Sequence, residues 1–217
     1  MPTLALVALA LYGLLALGLR MAVHLGRTGS TGFKGLSGAP GSVEWIGGLL
    51  FASAIVLCVA GTALQQDALH PLQALDGDVG NVVGAGLAVG GIVITVIAQF
   101  GMGDAWRIGV DPSERTALVT HGSFSVVRNP IYAAMIPFFT GIALLAPNGV
   151  TLAGAILLMV ALELQTRFVE EPFLSRVHGE QYAAYAAQVG RFLPGIGRLR
   201  LNGKRPTTSE RTYGQRY

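Results

Sequence analysis

The chain has 217 residues, of which 52% are hydrophobic and 12% charged. A soluble domain carries about 25% charged residues, so half that share with a mean hydropathy of +0.54 excludes an ordinary soluble enzyme and points to an integral membrane protein. The net charge of +3 does not read as nucleic-acid binding, because the basic residues flank apolar runs, where an anionic lipid surface accounts for them. Cys58 stands alone, which leaves no intrachain disulfide, and His24, His70, His121 and His178 are too scattered to suggest a metal site.

Taken in order, Thr3 to Leu19 is a first uncharged apolar run, and Arg20 after it can snorkel to the interface. It lacks a positive leading region, so it reads as a span rather than a cleaved signal peptide. Residues 24–44 form a Gly/Ser/Thr-rich loop. Trp45 to Gln66 is the second run, with Trp45 as its interfacial anchor. Residues 67–78 form a short acidic loop. Val79 to Gly103 is the third run, where Gly80, Gly84, Gly86 and Gly90 make two small-xxx-small pairs that predict tight helix packing. After the polar segment 104–130, Ile131 to Leu162 is too long for one straight span, and Pro147-Asn148-Gly149 in its middle is a turn signal. The reading is a helical hairpin of residues 131–146 and 150–168. Its first arm reaches only about 24 Å against a hydrocarbon core of roughly 30 Å, which leaves room for a pocket at one end.

The expected fold is therefore all-α: a polytopic membrane protein with five transmembrane helices, the last two forming the hairpin. With five spans, segments 20–44, 104–130 and 163–217 share one side, and all fifteen Lys and Arg fall there. The positive-inside rule then puts the N-terminus outside and the C-terminal segment in the cytoplasm, in a bacterial-type cell membrane. Three segments follow: a two-span segment 1–66, a motif-bearing core 79–200, and a tail 201–217 expected to be disordered.

Polar side chains concentrate at two places. Residues 118–132 carry His121, Arg128, Asn129 and Tyr132 at the mouth of the hairpin, and Pro130 suits the first helical position. Arg128 can serve as a site residue or only mark a membrane boundary. Beyond the hairpin, Glu170 and Glu171 can hold a cation or ribose hydroxyls, or can simply be a solvated helix end. His178 to Val189 reads as a short cytoplasmic helix with Tyr182, Tyr185, Ala186 and Val189 on one face, which either packs on the membrane domain or covers a ligand.

These two blocks resemble those of the isoprenylcysteine carboxyl methyltransferase family. The first is Thr120-His121-Gly122-Ser123-Phe124 followed by Arg128-Asn129-Pro130-Ile131-Tyr132. The second is Glu170-Glu171-Pro172-Phe173-Leu174, then His178-Gly179-Glu180-Gln181-Tyr182, Tyr185 and Arg191-Phe192-Leu193-Pro194. Asn129 stands where many members have His and keeps hydrogen-bonding capacity. Gly101-Met102-Gly103 and Trp106-Arg107 resemble a weaker third element, and phosphatidylethanolamine methyltransferases are similar in overall plan. The match covers roughly residues 79–200.

The resemblance implies S-adenosylmethionine as methyl donor, bound near the cytoplasmic face and leaving as S-adenosylhomocysteine. It implies cofactor contacts from Gly122, Arg128, Asn129, Pro130, Tyr132, Glu170, Glu171, Tyr182, Tyr185 and Arg191. Arg128 can take a carboxylate, and His121 or Glu171 can accept a proton if the nucleophile carries one. The implied substrate is lipophilic: isoprenoid, prenylated or lipid-like. A membrane NADPH-dependent sterol reductase of similar fold and a non-catalytic membrane protein are the competing readings. Oligomeric state is not readable from these residues.

Overall fold

The computed structural model describes residues 1–33, 35, 38–109 and 117–199. Among these residues the protein is all-helical apart from isolated β-bridges. Helix α1 (Pro2–Tyr12) continues through a π-helical stretch, Gly13–Leu19, into α2 (Arg20–Thr28), making one rod. Helices α3 (Val43–Leu64) and α4 (Asp78–Gly101) follow. The hairpin is α5 (Pro130–Leu145) and α6 (Gly149–Gln165). Four helices are long and apolar enough to cross a membrane, and α5 is a shorter apolar one. The tail expected at 201–217 lies outside the described residues.

Local chemistry places the helix ends. Ser42 caps α3 by accepting from the Trp45 N–H. Pro130 opens α5, where its missing N–H is not needed. Asn148 closes the hairpin turn and caps α6 through its carboxamide oxygen.

The second arm differs from expectation. It does not stop near residue 168 and restart at 178. It passes through a second π stretch, Thr166–Glu170, into α7 (Glu171–Gln188). Pro172 explains the π turn, because it has no N–H to return and would clash with the carbonyl four residues back in a regular helix. The break falls instead at Gly179, whose φ of 50° and ψ of −123° are non-helical. About 20 residues suffice to cross a bilayer, a length that residues 149–168 of this 40-residue helix already supply.

Small residues set the packing. Helix α4 lies along α5, and α3 along α6. A Cβ on Gly141 would stand 2.5 Å from the Gly84 carbonyl, and one on Gly91 2.6 Å from the Phe138 Cβ. Gly84 therefore packs as expected, while Gly86 and Gly90 face open space. The contact stripe is Gly84, Ala88, Gly91 and Thr95, a helical repeat offset from the expected pairs.

The N-terminal rod runs parallel to α4 in fixed register. Tyr12 Oη meets Thr95 Oγ1 at 3.4 Å, Gln99 Nε2 donates to the Ala16 carbonyl at 2.9 Å, and Arg20 Nη2 donates to the Gly103 carbonyl. Each partner lies 83 residues further along the chain. Ala16 lies within the π stretch. At one end of the bundle, the Leu72 N–H donates to the Pro147 carbonyl, so the acidic loop and the hairpin turn share a side. At the other end, bridges Phe33–Ile108 and Val127–Gly190 and the Arg27–Asp104 ion pair gather the loops rich in basic residues.

Candidate active site

The chain enters α5 through a 3-10 turn, Gly122–Ser125, and an extended step at Asn129. Val127 pairs with Gly190 in a parallel bridge. The Arg128 N–H donates to the Gly190 carbonyl at 2.8 Å, and the Asn129 N–H to the Arg191 carbonyl at 3.1 Å. The segment after α7 is thereby strapped across the mouth of the hairpin. A Cβ on Gly190 would run into the Leu193 carbonyl, so the strap's tight return, closed by Arg191 N–H on the Ile196 carbonyl, needs glycine there.

Arg128 sits beneath this strap, only 5% exposed. Its Nη1 donates to the Ala186 and Val189 carbonyls. Its Nη2 donates to the Gly197 carbonyl at 2.9 Å and to Glu171 Oε1 at 2.5 Å. Arg191 grips the same carboxylate with both edges, Nε on Oε1 at 2.8 Å and Nη2 on Oε2 at 2.9 Å. Arg191 Nη1 also reaches Glu163 Oε1 at 2.9 Å, a carboxylate shared with Arg167. Paired, planar guanidinium contacts of this kind are the arrangement in which a buried carboxylate is tolerated.

The two neighbouring glutamates end up unlike. Burial acts to raise the Glu171 carboxyl, but the hydrogen bonds from Arg191 and Arg128 outweigh it and hold the group below the usual carboxylate range. Burial pushes the Glu170 carboxyl up instead, and the one hydrogen bond it accepts, from Tyr132 Oη at 2.5 Å, does not cancel this. Adjacent acids with pKa values driven apart are a hallmark of sites that separate a permanent charge from a proton acceptor. The Arg191 guanidinium is pushed up by its hydrogen bond to Glu171.

Other expected residues fall around this junction. Tyr182 is buried against it, 6.3 Å from the Tyr185 ring. Tyr185 Oη donates to the Phe124 carbonyl at 2.6 Å, which fastens the 3-10 turn to α7. His121 and Gly122 are exposed on that turn, and Gly122 has a φ of 61°. His121 is outside the hydrogen-bonded network of Arg128 and Glu171. Pro130 is buried as the first residue of α5. Arg128 was expected to meet a carboxylate of a ligand; its carboxylate partner is Glu171 of the same chain. Glu171 was expected to be an open acceptor at a helix end; it is buried between two arginines. Two contributors escaped sequence reasoning. Glu163 was read only as the first residue of the C-terminal segment 163–217. Arg107, whose guanidinium lies 5.7 Å from the Phe173 ring, was noted only as part of the weak third element.

The fold and the site define a polytopic helical membrane protein with a charged junction at the end where its basic loops collect. Residues 79–181 match the phospholipid methyltransferase family, which is consistent with an integral membrane methyltransferase of the type its motifs resemble. No curated protein and no solved structure matches the chain.

Proposed function

We propose that the protein is an S-adenosylmethionine-dependent membrane methyltransferase acting on a lipophilic acceptor. The observation that carries this reading is the convergence of both motif blocks: Arg128 and Tyr132 from one, Glu170, Glu171 and Arg191 from the other, all at one end of the hairpin. The family match supports the reaction type.

The residues fit such a cofactor. Glu170 is half-buried and keeps acceptor capacity beyond its bond from Tyr132, enough for a hydroxyl or an ammonium. The clamp of Arg128 and Arg191 on Glu171 fixes the strap and α7 relative to α5, so Tyr132, Tyr182, Tyr185, Asn129, Pro130 and Gly122 hold their places around the junction. The bound cofactor supplies a methyl group on a sulfonium, open to in-line displacement. The protein's work is alignment and exclusion of water, where small misplacements cost large rate factors. For an acceptor bearing a proton, the half-buried Glu170 and the exposed His121 are the candidates to take it, while Glu171 is committed to its arginines. The short α5 arm leaves a lateral approach for a lipid-like substrate.

The orientation follows from the charge distribution: the basic end, with the site, in the cytoplasm. Cysteine placed at position 76 should label from outside in intact cells, and the reverse result would move the site to the other face. Of the arginines that could serve a nicotinamide cofactor's 2′-phosphate, Arg167, Arg176, Arg191 and Arg198, two are engaged, Arg167 with Glu163 and Arg191 with Glu163 and Glu171, and this counts against the reductase reading. The deciding experiment uses detergent-purified protein. S-adenosylhomocysteine should raise its melting temperature, NADPH should not, and tritiated methyl should pass from the donor into a lipid extract. Stabilisation by NADPH alone would overturn the proposal.

A further inference from the structure

We propose that the turn Leu193-Pro194-Gly195-Ile196 in the strap is an interfacial anchor, which dips into the anionic lipid surface of the protein's own membrane on the side of the basic loops. It goes beyond the methyltransferase reading and stands without it.

The depth of the turn is set by Arg191. That guanidinium donates to Glu171 through two nitrogens and to Glu163 through the third. Glu163 and Glu171 belong to one continuous helix, with backbones about 12 Å apart along its axis. Glu163 falls within the stretch 149–168 that already spans the hydrocarbon, and Glu171 falls just past it. A side chain bonded to both therefore sits at the boundary of the lipid. Phe168, 53% exposed, marks the same level with an aromatic ring, as interfacial residues do.

The turn cannot stray from Arg191. The Arg191 N–H donates to the Ile196 carbonyl at 2.8 Å, and the Ile196 N–H to the Leu193 carbonyl at 3.1 Å. Pro194 at the second position and Gly195 with a φ of 77° at the third suit a tight type II turn. Leu193 and Ile196 thus flank a stiff tip, and they are 58% and 64% exposed. One exposed leucine needs no explanation. Two large aliphatic side chains on one turn, tied to a residue at the lipid boundary, have a solvent at hand that suits them better than water. The charge around the tip fits as well. Arg198 Nη2 lies 3.5 Å from where a Cβ on Gly195 would stand, and Arg198 and Arg167 are both exposed, as residues facing anionic headgroups are. The consequence reaches the site, because the strap that carries this turn also carries the Val189 and Gly197 carbonyls that hold Arg128. The lipid surface thereby helps to keep the strap closed over the hairpin mouth.

The test places a nitrobenzoxadiazole label on Leu193→Cys and, separately, on Ile196→Cys. Each is reconstituted as one copy per nanodisc in phosphatidylcholine with phosphatidylglycerol. Cys58 is fully buried, so the label reports the new position. Ile156→Cys, exposed midway along α6, supplies the lipid reference, and labelled glutathione the aqueous one. Emission from both turn positions should lie to the blue of the glutathione adduct. Nitroxide lipids should quench it, more strongly with the nitroxide near the headgroup than deep in the chain, the reverse of the order at position 156. Emission at the aqueous value, quenched by iodide and untouched by nitroxide lipids, overturns the anchor. A blue shift without nitroxide quenching means that protein rather than lipid covers the turn, and overturns it as well. Leu193→Asp should return the label at position 196 to the aqueous value, since a carboxylate does not enter an apolar phase, while Leu193→Met should not. A label still quenched by lipid in Leu193→Asp refutes the role of the aliphatic tips. Quenching should weaken in phosphatidylcholine alone, and Arg198→Gln should shrink that difference; equal quenching of the parent protein in both lipids overturns the anionic partner. None of these signals depends on methyl transfer, so a failure of the anchor and a failure of the methyltransferase reading are told apart.

Discussion

The two ends of the α5–α6 hairpin are both polar and are built in opposite ways. At the turn, the Asn148 carboxamide nitrogen donates to the Gly61 carbonyl at 2.9 Å, Gln65 Oε1 at 2.7 Å and Thr151 Oγ1 at 3.0 Å. Its oxygen accepts from the Val150 and Thr151 N–H groups, both at 3.0 Å. This knot is neutral and saturated. At the far end, the knot is charged: Glu171 is clamped by two arginines, while Glu170 beside it accepts, among the described residues, from Tyr132. Polarity at a membrane helix end does not by itself mark a site. What marks one is acceptor capacity left over after the fold has been tied.

The contrast can be broken by substitution, and the largest effect is expected at Arg128. Arg128→Gln takes away the group joining Glu171 to the Ala186 carbonyl of α7 and to the Val189 and Gly197 carbonyls of the strap, and losing one partner of a buried pair costs about 3–5 kcal/mol. Methyl transfer into a lipid extract should nearly vanish, and limited proteolysis should cut within residues 189–199. Arg128→Lys should fall between, keeping the charge without the planar fork. Full activity in Arg128→Lys would reduce the junction to a membrane boundary.

Glu171→Gln comes next, and pH sharpens it. A carboxyl held low contributes stability that is fully present above its unfolded pKa of about 4.3 and is lost as pH falls through the lower folded value. Glu170, held high, works with the opposite sign: its contribution is present at low pH and lost as pH rises from about 4.3 toward the folded value. Melting curves of wild type should therefore drop steeply in acid, and Glu171→Gln should lack most of that drop. Equal acid sensitivity in both would show that Glu171 is not the group being titrated.

Smaller effects belong to the opposite end and the helix seams. A side chain at Gly154 would meet Cys58 Sγ at 2.8 Å and the Cys58 nitrogen at 2.9 Å, so Gly154→Leu should force α3 from α6 at about 1–3 kcal/mol. Asn148→Ala removes a helix cap, worth about 0.5–2 kcal/mol. Both should lower the melting temperature and leave KM and kcat of the folded enzyme unchanged. A change in KM for Asn148→Ala at unchanged melting temperature would erase the distinction between the two knots.

The spans were legible because membrane crossing is a one-dimensional property: charge-free length and the side on which Lys and Arg collect. Pro147-Asn148-Gly149 gave the hairpin for the same reason. The motifs pointed to the right stretches of chain, yet Arg128 was assigned a ligand's carboxylate when its partner is Glu171, 43 residues away. Pairing through space is not written in either residue. The continuity of α6 into α7 was also missed: the arm was ended at residue 168 and a helix restarted at His178, because the π turn ahead of Pro172 is not visible in the sequence. Gly86 and Gly90 show the limit of small-residue patterns, which fix a spacing but not which face meets a neighbour.

The strap has a bearing on how the protein is made. Arg128 enters the bilayer boundary with the first arm of the hairpin, but its carbonyl partners lie 58 to 69 residues later in the chain. During synthesis its guanidinium therefore waits, solvated at the membrane surface, while the second arm is threaded and α7 emerges. Insertion and completion of the site are separate events: the helices can be fully seated in the lipid while the pocket is still open to water. A chain halted before residue 186 therefore has none of the three carbonyls that tie Arg128 down.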